Sequence, residues 1–154
     1  MPLSDFLSPE AIVPALKCNS KKQALQELAH RAASLTGLGE REIFETLLQR
    51  ERLGSTGIGR GIAIPHGKLA KLDQLFGLFA RFEKPVEFEA LDNEPVDLVF
   101  LLLAPETAGA DHLKALARVA RILRDPSVTQ MLRITREPAA LYALLVDTAT
   151  TNAA

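Results

Sequence analysis

The sequence predicts an α/β fold: a single domain in which a mixed β-sheet carries helices packed on its faces. Three observations predict it. The run Asp97–Pro105 is apolar almost without interruption and ends at a proline, the pattern of a strand buried on both faces and hence the centre of a sheet. Leu75–Phe82 is a second β-like segment, rich in aromatics around Gly77. Around these two, apolar residues recur at helical intervals in several separate stretches. With 154 residues the natural count is one domain. A chain of that size buries about 68–70% of its unfolded surface, enough for a full core without covalent staples.

Leu3–Pro14 is punctuated by prolines and reads as a turn followed by a brief extended piece at Ala11–Val13. Ser20 and Gln23 have the spacing of a capping box, a hydroxyl at the N-cap and an amide three residues on. Behind them Leu25, Leu28, Ala29, Ala32 and Leu35 form the inward stripe of a helix that Gly37 stops. His30 lies beside that stripe and reads as a structural histidine. A second helix begins near Glu40 and turns Ile43, Phe44, Leu47 and Leu48 inward. Its acidic start (Glu40, Glu42, Glu45) and basic end (Arg50, Arg52) complement the helix dipole.

Val86–Glu89 alternates in and out, as a further short strand or edge would, and Asp92–Pro95 is turn chemistry. Gly109–Arg124 is a third helix with Leu113, Leu116, Ala117, Ala120 and Leu123 inward and His112 in its first turn. Pro126 separates it from 127–135, and Pro138 opens a last helix with Leu141, Leu144 and Leu145 inward. The small, polar end is expected to fray, making about 149–154 a flexible tail of a single domain spanning 1–154. No internal repeat or dividing linker is visible.

The formal net charge of −1 gives no global attraction to nucleic acid or to a membrane surface. Neither a secretory signal nor an 18-residue apolar run is present, so the expectation is a cytoplasmic protein that is not membrane-embedded. The one cysteine, Cys18, excludes an intramolecular disulfide and suits a reducing compartment; it reads as a small structural residue. No His-Glu-x-x-His motif or paired carboxylate cluster occurs, so no metal and no cofactor is expected. Acidic residues dominate 83–97 and basic residues dominate 111–136, both read as solvated faces.

The densest signal is Gly54–Lys68, which holds five of the nine glycines. Glycine takes positive φ without steric cost and lets backbone approach another group closely. A tight loop is therefore expected, its amides available to converge on an anion. Ile62–Ile64 is extended and Pro65 ends it, placing His66 just past a strand end with Gly67 leaving room beside it. Imidazole titrates nearest neutrality, so it can be nucleophile, base or ligand. Phosphate-loop and dinucleotide spacings both fail: Gly61 and Gly67 are separated by five residues, Leu69 stands where a magnesium-holding hydroxyl belongs, and Gly57, Gly59 and Gly61 alternate. Arg50, in the last helical turn before the loop, reads either as a dipole partner or as a guanidinium that reaches an anion beside His66. His112 follows the central strand, and ligands gather at the carboxyl ends of strands in open α/β sheets. From the residues alone, a surface position at the helix start and a place in the site are equally good readings of it.

The segment Arg50–Gly59 together with Ile62–Lys68 resembles the phosphohistidine motif of the fructose/mannitol-type enzyme IIA proteins of the bacterial phosphotransferase system, with the stand-alone nitrogen-regulatory branch the nearer. The likeness runs from the helix start at Lys21 and Lys22 to Leu141 and Tyr142. It implies that His66 accepts a phosphoryl group, on the Nε2 side, from an HPr-type phosphocarrier protein. It favours the anion-reaching role for Arg50 and implies that His112 is a second histidine of the site. The donors expected around the phosphoryl group are Arg50, His112, the hydroxyls of Ser55 and Thr56, and loop amides, with Gly57 and Gly67 in the phosphate-binding set. It further implies regulation of partner proteins by phosphorylation state. The rival within the family is a sugar-specific component that passes phosphate to a transporter. From other classes come a binding module that holds an anion without reacting and, last, a hydrolase with His66 as base, for which no nucleophile or carboxylate orienter is evident.

Overall fold

Residues 1–153 are described in a computed structural model, with side chains through Asp147. Two single turns of 3-10 helix, Leu3–Asp5 and Pro9–Ala11, lead into β1 (Ile12–Leu16). Then follow α1 (Lys21–Thr36), α2 (Glu40–Arg52), β2 (Gly57–Gly59), β3 (Ile62–Ala63), β4 (His66–Leu69), β5 (Phe76–Val86), β6 (Val96–Pro105), α3 (Ala110–Leu123), α4 (Pro126–Ile134) and α5 (Pro138–Ala153). The strands form one mixed six-stranded sheet in the order β1-β5-β6-β3-β2, with β4 also on β6. This is the α/β class expected, with helices covering the sheet.

β6 is its centre. It runs antiparallel to β5 on one side and parallel to β3 and β4 on the other. Leu98–Leu103 are fully buried, as the unbroken apolar run requires. β3 and β4 are one path along β6, since Ile62 opposite Leu98 and His66 opposite Leu102 keep the same register. Pro65 interrupts the path because it has no N–H, yet its carbonyl still accepts from the Leu102 N–H at 2.9 Å. His66 therefore opens a strand where the sequence placed it beyond a strand end.

The first helix begins as expected. Ser20 Oγ accepts from the Gln23 N–H at 3.1 Å, while the Gln23 side chain accepts from the Asn19 N–H at 2.6 Å, one residue before the usual capping-box partner. Leu25, Leu28, Ala29 and Ala32 are buried, and Gly37 ends the helix at φ 79°. Leu35, expected inward, is exposed because the last turn extends past the edge of the core. His30 sits on this helix's outer side, its Nδ1 2.7 Å from Glu40 Oε1.

α3 corrects the sequence reading more seriously. Its inward stripe is His112, Ala115, Val119, Ile122 and Leu123, whereas Leu113 is 67% exposed and Ala117 faces solvent. Of the residues expected inward, Leu123 is buried and Leu116 and Ala120 pack against the core, so the true face is the expected one rotated toward His112. Val86 is the end of the long strand β5, not a separate strand, joined to it across a register shift after Arg81. Residues 127–134 are helical, within α4, capped by Asp125, which accepts from the Ser127 N–H.

The basic and acidic stretches are more than solvated faces. Arg133 binds Asp97 through two bonds of 2.8 and 3.0 Å and also donates to the Arg60 carbonyl at 2.7 Å, tying α4 to the start of β6 and to the β2–β3 turn. Cys18 is buried and its thiol is pushed up to about 11, by burial first and then by Glu27, so it is inert. α5 buries Leu141 and Leu145. The tail expected over 149–154 falls where only the backbone of the last turns is described, and Ala154 lies outside the described residues.

Candidate functional site

The site forms where the end of α2, the start of β4 and the start of α3 meet. His66 is half-buried. Its Nδ1 lies 2.8 Å from the Ile64 carbonyl oxygen, which can only accept, so Nδ1 carries the proton. Nε2 therefore presents its lone pair, and the Arg50 Nε–H donates to it at 3.2 Å. A second branch of the same guanidinium, Nη1, donates to the Gly54 carbonyl at 2.9 Å. Burial pushes the His66 pKa below its ordinary 6.5; the Ile64 hydrogen bond works against this, the Arg50 charge adds to it, and the Glu51 charge opposes it. The imidazole is neutral at physiological pH with one nitrogen free to react.

His112 is delivered by the chain leaving β6 and is buried in the first turn of α3. Its ring centroid lies 5.7 Å from that of His66, with the planes tilted by 50°. Its Nδ1 is buried without a hydrogen-bond partner among the described residues. Its pKa is also lowered, by burial first, then by His66 and Lys68. Both rings are thus held neutral, side by side, with the Arg50 cation on one edge.

The loop residues take different parts from those the sequence suggested. Ser55 Oγ donates to the Phe88 carbonyl at 2.7 Å and accepts from the Gly57 N–H at 3.0 Å. Thr56 is buried, its hydroxyl donating to Glu51 Oε2 and its N–H to Glu51 Oε1 at 3.0 Å. These donors are occupied by Glu51 of α2, the Phe88 carbonyl and Ser55 itself. A side chain at Gly57 would put its Cβ 2.8 Å from that of Ala90, so glycine there admits the passing 88–91 segment. At Gly67 a Cβ would sit 2.6 Å from Thr46 Cγ2. That glycine lets α2 lie against β4; the space beside it is already filled by the helix. The structure therefore brings Arg50, His66 and His112 together, while Ser55, Thr56, Gly57 and Gly67 build the frame around them.

Sequence reasoning missed Glu51. Its side chain is 3% exposed and forms an ion pair with Lys21 Nζ at 3.0 Å. The available signal was an acid between Arg50 and Arg52 at a helix C-terminus, where the dipole disfavours negative charge. Among the described residues no group of three or more His, Cys, Asp or Glu side chains could hold a metal ion. None of the helices there is long and apolar enough to cross a membrane.

A neutral histidine whose unprotonated Nε2 accepts from an arginine, with a second neutral histidine beside it where α2, β4 and α3 meet, defines a class of protein. Residues 5–147 match the family model described as phosphoenolpyruvate-dependent sugar phosphotransferase system, EIIA 2, and the chain belongs to that family. Within it, the chain is similar to nitrogen regulatory proteins. It is 65% identical over 145 residues to that of Bradyrhizobium diazoefficiens, covering 94% of this chain and 95% of the relative. It is 43% identical over 148 residues to that of Escherichia coli K12, covering 95% and 90%. The crystal structure of nitrogen regulatory protein IIA-Ntr from Neisseria meningitidis superimposes with a TM-score of 0.88 at 36% identity, over 93% of this chain and 98% of that one.

Proposed function

We propose that His66 accepts a phosphoryl group on Nε2 from the phosphohistidine of an HPr-type carrier, and that the protein regulates partner proteins through its phosphorylation state. The observation that carries this reading is the pair of bonds fixing His66: Nδ1–H on the Ile64 carbonyl and the Nε2 lone pair facing Arg50. In the transfer the Nε2–P bond forms as the donor's N–P bond breaks, and the donor nitrogen keeps that electron pair. The proton stays on Nδ1 throughout, donated in a hydrogen bond to the Ile64 carbonyl. Negative charge spreads over the equatorial phosphoryl oxygens in the transition state, so catalysis rests on positioned donors. The Arg50 guanidinium, which donates to Nε2 at rest, turns to those oxygens as the phosphoryl group arrives. His112 lines the same approach and offers a further ring nitrogen. On this reading the protein acts in the cytoplasm.

The regulatory reading is favoured over sugar transport by the similarity to nitrogen regulatory proteins along nearly their whole length. Intact-mass measurement after incubation with a phosphoenolpyruvate-driven phosphorylation cascade tests the proposal. One acid-labile phosphoryl group is expected on the wild type and none on folded His66→Ala, since a half-buried loop-proximal imidazole contributes little to the core. A wild type that gains no mass would leave the non-reacting anion-binding module as the better account.

A further inference from the structure

Glu51 is a carboxylate almost wholly removed from water, at a helix end whose dipole is unfavourable to it. Burying a charge is costly unless it is paired and hydrogen-bonded, and Glu51 is both. Lys21 Nζ lies 3.0 Å away, and the N–H and hydroxyl of Thr56 both donate to it. Lys21 is held in turn over the Phe88 ring, 5.1 Å from its centroid, and reaches Glu89 at 3.4 Å. The chain between Glu51 and Thr56 is only four residues and turns through Gly54 at φ 148°. Clamping Thr56 to Glu51 therefore fixes where the Gly54 carbonyl points. That carbonyl is the anchor for Arg50 Nη1, and Arg50 Nε is the donor on His66 Nε2.

We propose that Glu51 is a positioning residue for phosphoryl transfer, acting through the 54–57 loop to aim the Arg50 guanidinium at His66 Nε2; this rests on the reading of His66 as the acceptor. Glu51 touches neither His66 nor an incoming phosphoryl group. Its influence passes along Glu51–Thr56, then Gly54–Arg50, then Arg50–His66. Displacing a catalytic donor by about 1 Å costs on the order of 10²-fold in rate, so slackening the loop is enough to matter. A staple that served stability alone would leave transfer by the folded protein unchanged.

The test is a double-mutant cycle on single-turnover transfer from a phosphorylated HPr-type carrier, using wild type, Glu51→Gln, Arg50→Ala and the double variant. Glu51→Gln is expected to lose about 10- to 100-fold in rate with unchanged dependence on carrier concentration. In the Arg50→Ala background the same change is expected to have no further effect. Losses that multiply, or a wild-type rate in folded Glu51→Gln, would overturn the proposal. Should Glu51→Gln fail to fold, Thr56→Val, which keeps the Glu51–Lys21 pair, replaces it in the cycle with a smaller loss expected and the same two overturning outcomes. Hydrogen exchange at the Arg50 Nε–H, followed by NMR without any carrier, separates this proposal from the acceptor reading. Slow exchange in wild type and fast exchange in the Glu51 or Thr56 variant supports positioning even if the wild type takes up no phosphoryl group. Equal exchange in both refutes it.

Discussion

His66 is kept neutral by burial and by a cationic neighbour, and its tautomer is fixed by a carbonyl that can only accept. In an NMR pH titration it should titrate below 6.5, and Arg50→Ala should move it upward by removing that cation. His112 should also titrate low. The consequence for stability has a definite sign. With the folded pKa depressed, the unfolded chain binds more protons in the window between the two values, so stability rises with pH there. The contribution of each histidine is fully present above about 6.5 and is lost as pH falls through its folded pKa. Chemical denaturation as a function of pH should show this decline, and His112→Gln should flatten it. Arg50 has a separate test. Because its guanidinium is held at two points, Arg50→Ala should slow transfer by about 10²–10³-fold, the cost of losing one preorganised donor to a developing anion. Arg50→Lys should recover only part, since a point charge cannot make both contacts. A wild-type single-turnover rate in Arg50→Ala would remove the residue from the mechanism.

At the scale of elements, the site depends on α2 lying close against β4, and Gly67 permits that approach. Gly67→Ala drives a methyl into Thr46 Cγ2, so the expected loss is about 1–3 kcal/mol in urea denaturation, the usual cost of overpacking. Thr46→Ser, which deletes the offending methyl and keeps the hydroxyl bonded to the Glu42 carbonyl, should restore most of it. Unchanged stability in Gly67→Ala would mean that the helix yields freely. The sequence singled out Gly67 as leaving room beside His66 but could not show its contact with α2, because the atom that would collide belongs to a residue 21 positions earlier. β6 and α1 were legible because one physical signal dominated each: unbroken burial in the strand, and a hydroxyl cap with a glycine stop on the helix. The face of α3 was only partly legible, with Leu116, Ala120 and Leu123 inward as expected but Leu113 and Ala117 exposed, because the buried face is centred toward a histidine. Arg50 and His66, singled out through their neighbours along the chain, do meet in the folded protein. Glu51 was not singled out, since the partners that justify burying it, Lys21 and Thr56, are known only once α1 and the loop are folded against α2.

Across the whole molecule, His66 sits on β4, a short strand paired with the central strand β6, while Arg50 and His112 arrive from α2 and α3, helices about 60 residues apart in the sequence. Such a frame suits a group that must be modified without the fold changing. Phosphorylation would add roughly −1.5 to −2 charges on the His66 side of the sheet, and the fully buried run Leu98–Leu103 of β6 would be expected to keep its packing. A docking partner covering that side would meet the new charge directly, gaining if it offers arginines and losing if it offers acidic or apolar groups. Away from this site, Arg133 ties Asp97 and the Arg60 carbonyl together at the other end of β6. All of this turns on which atom takes the phosphoryl group. The decisive measurement is 15N and 31P NMR on the protein phosphorylated by its carrier, with coupling from phosphorus to a single ring nitrogen assigned. The account predicts one phosphoryl group, on Nε2 of His66, with the Nδ1 proton still present; phosphorus on Nδ1 of His66, or on His112 or His30, would contradict it.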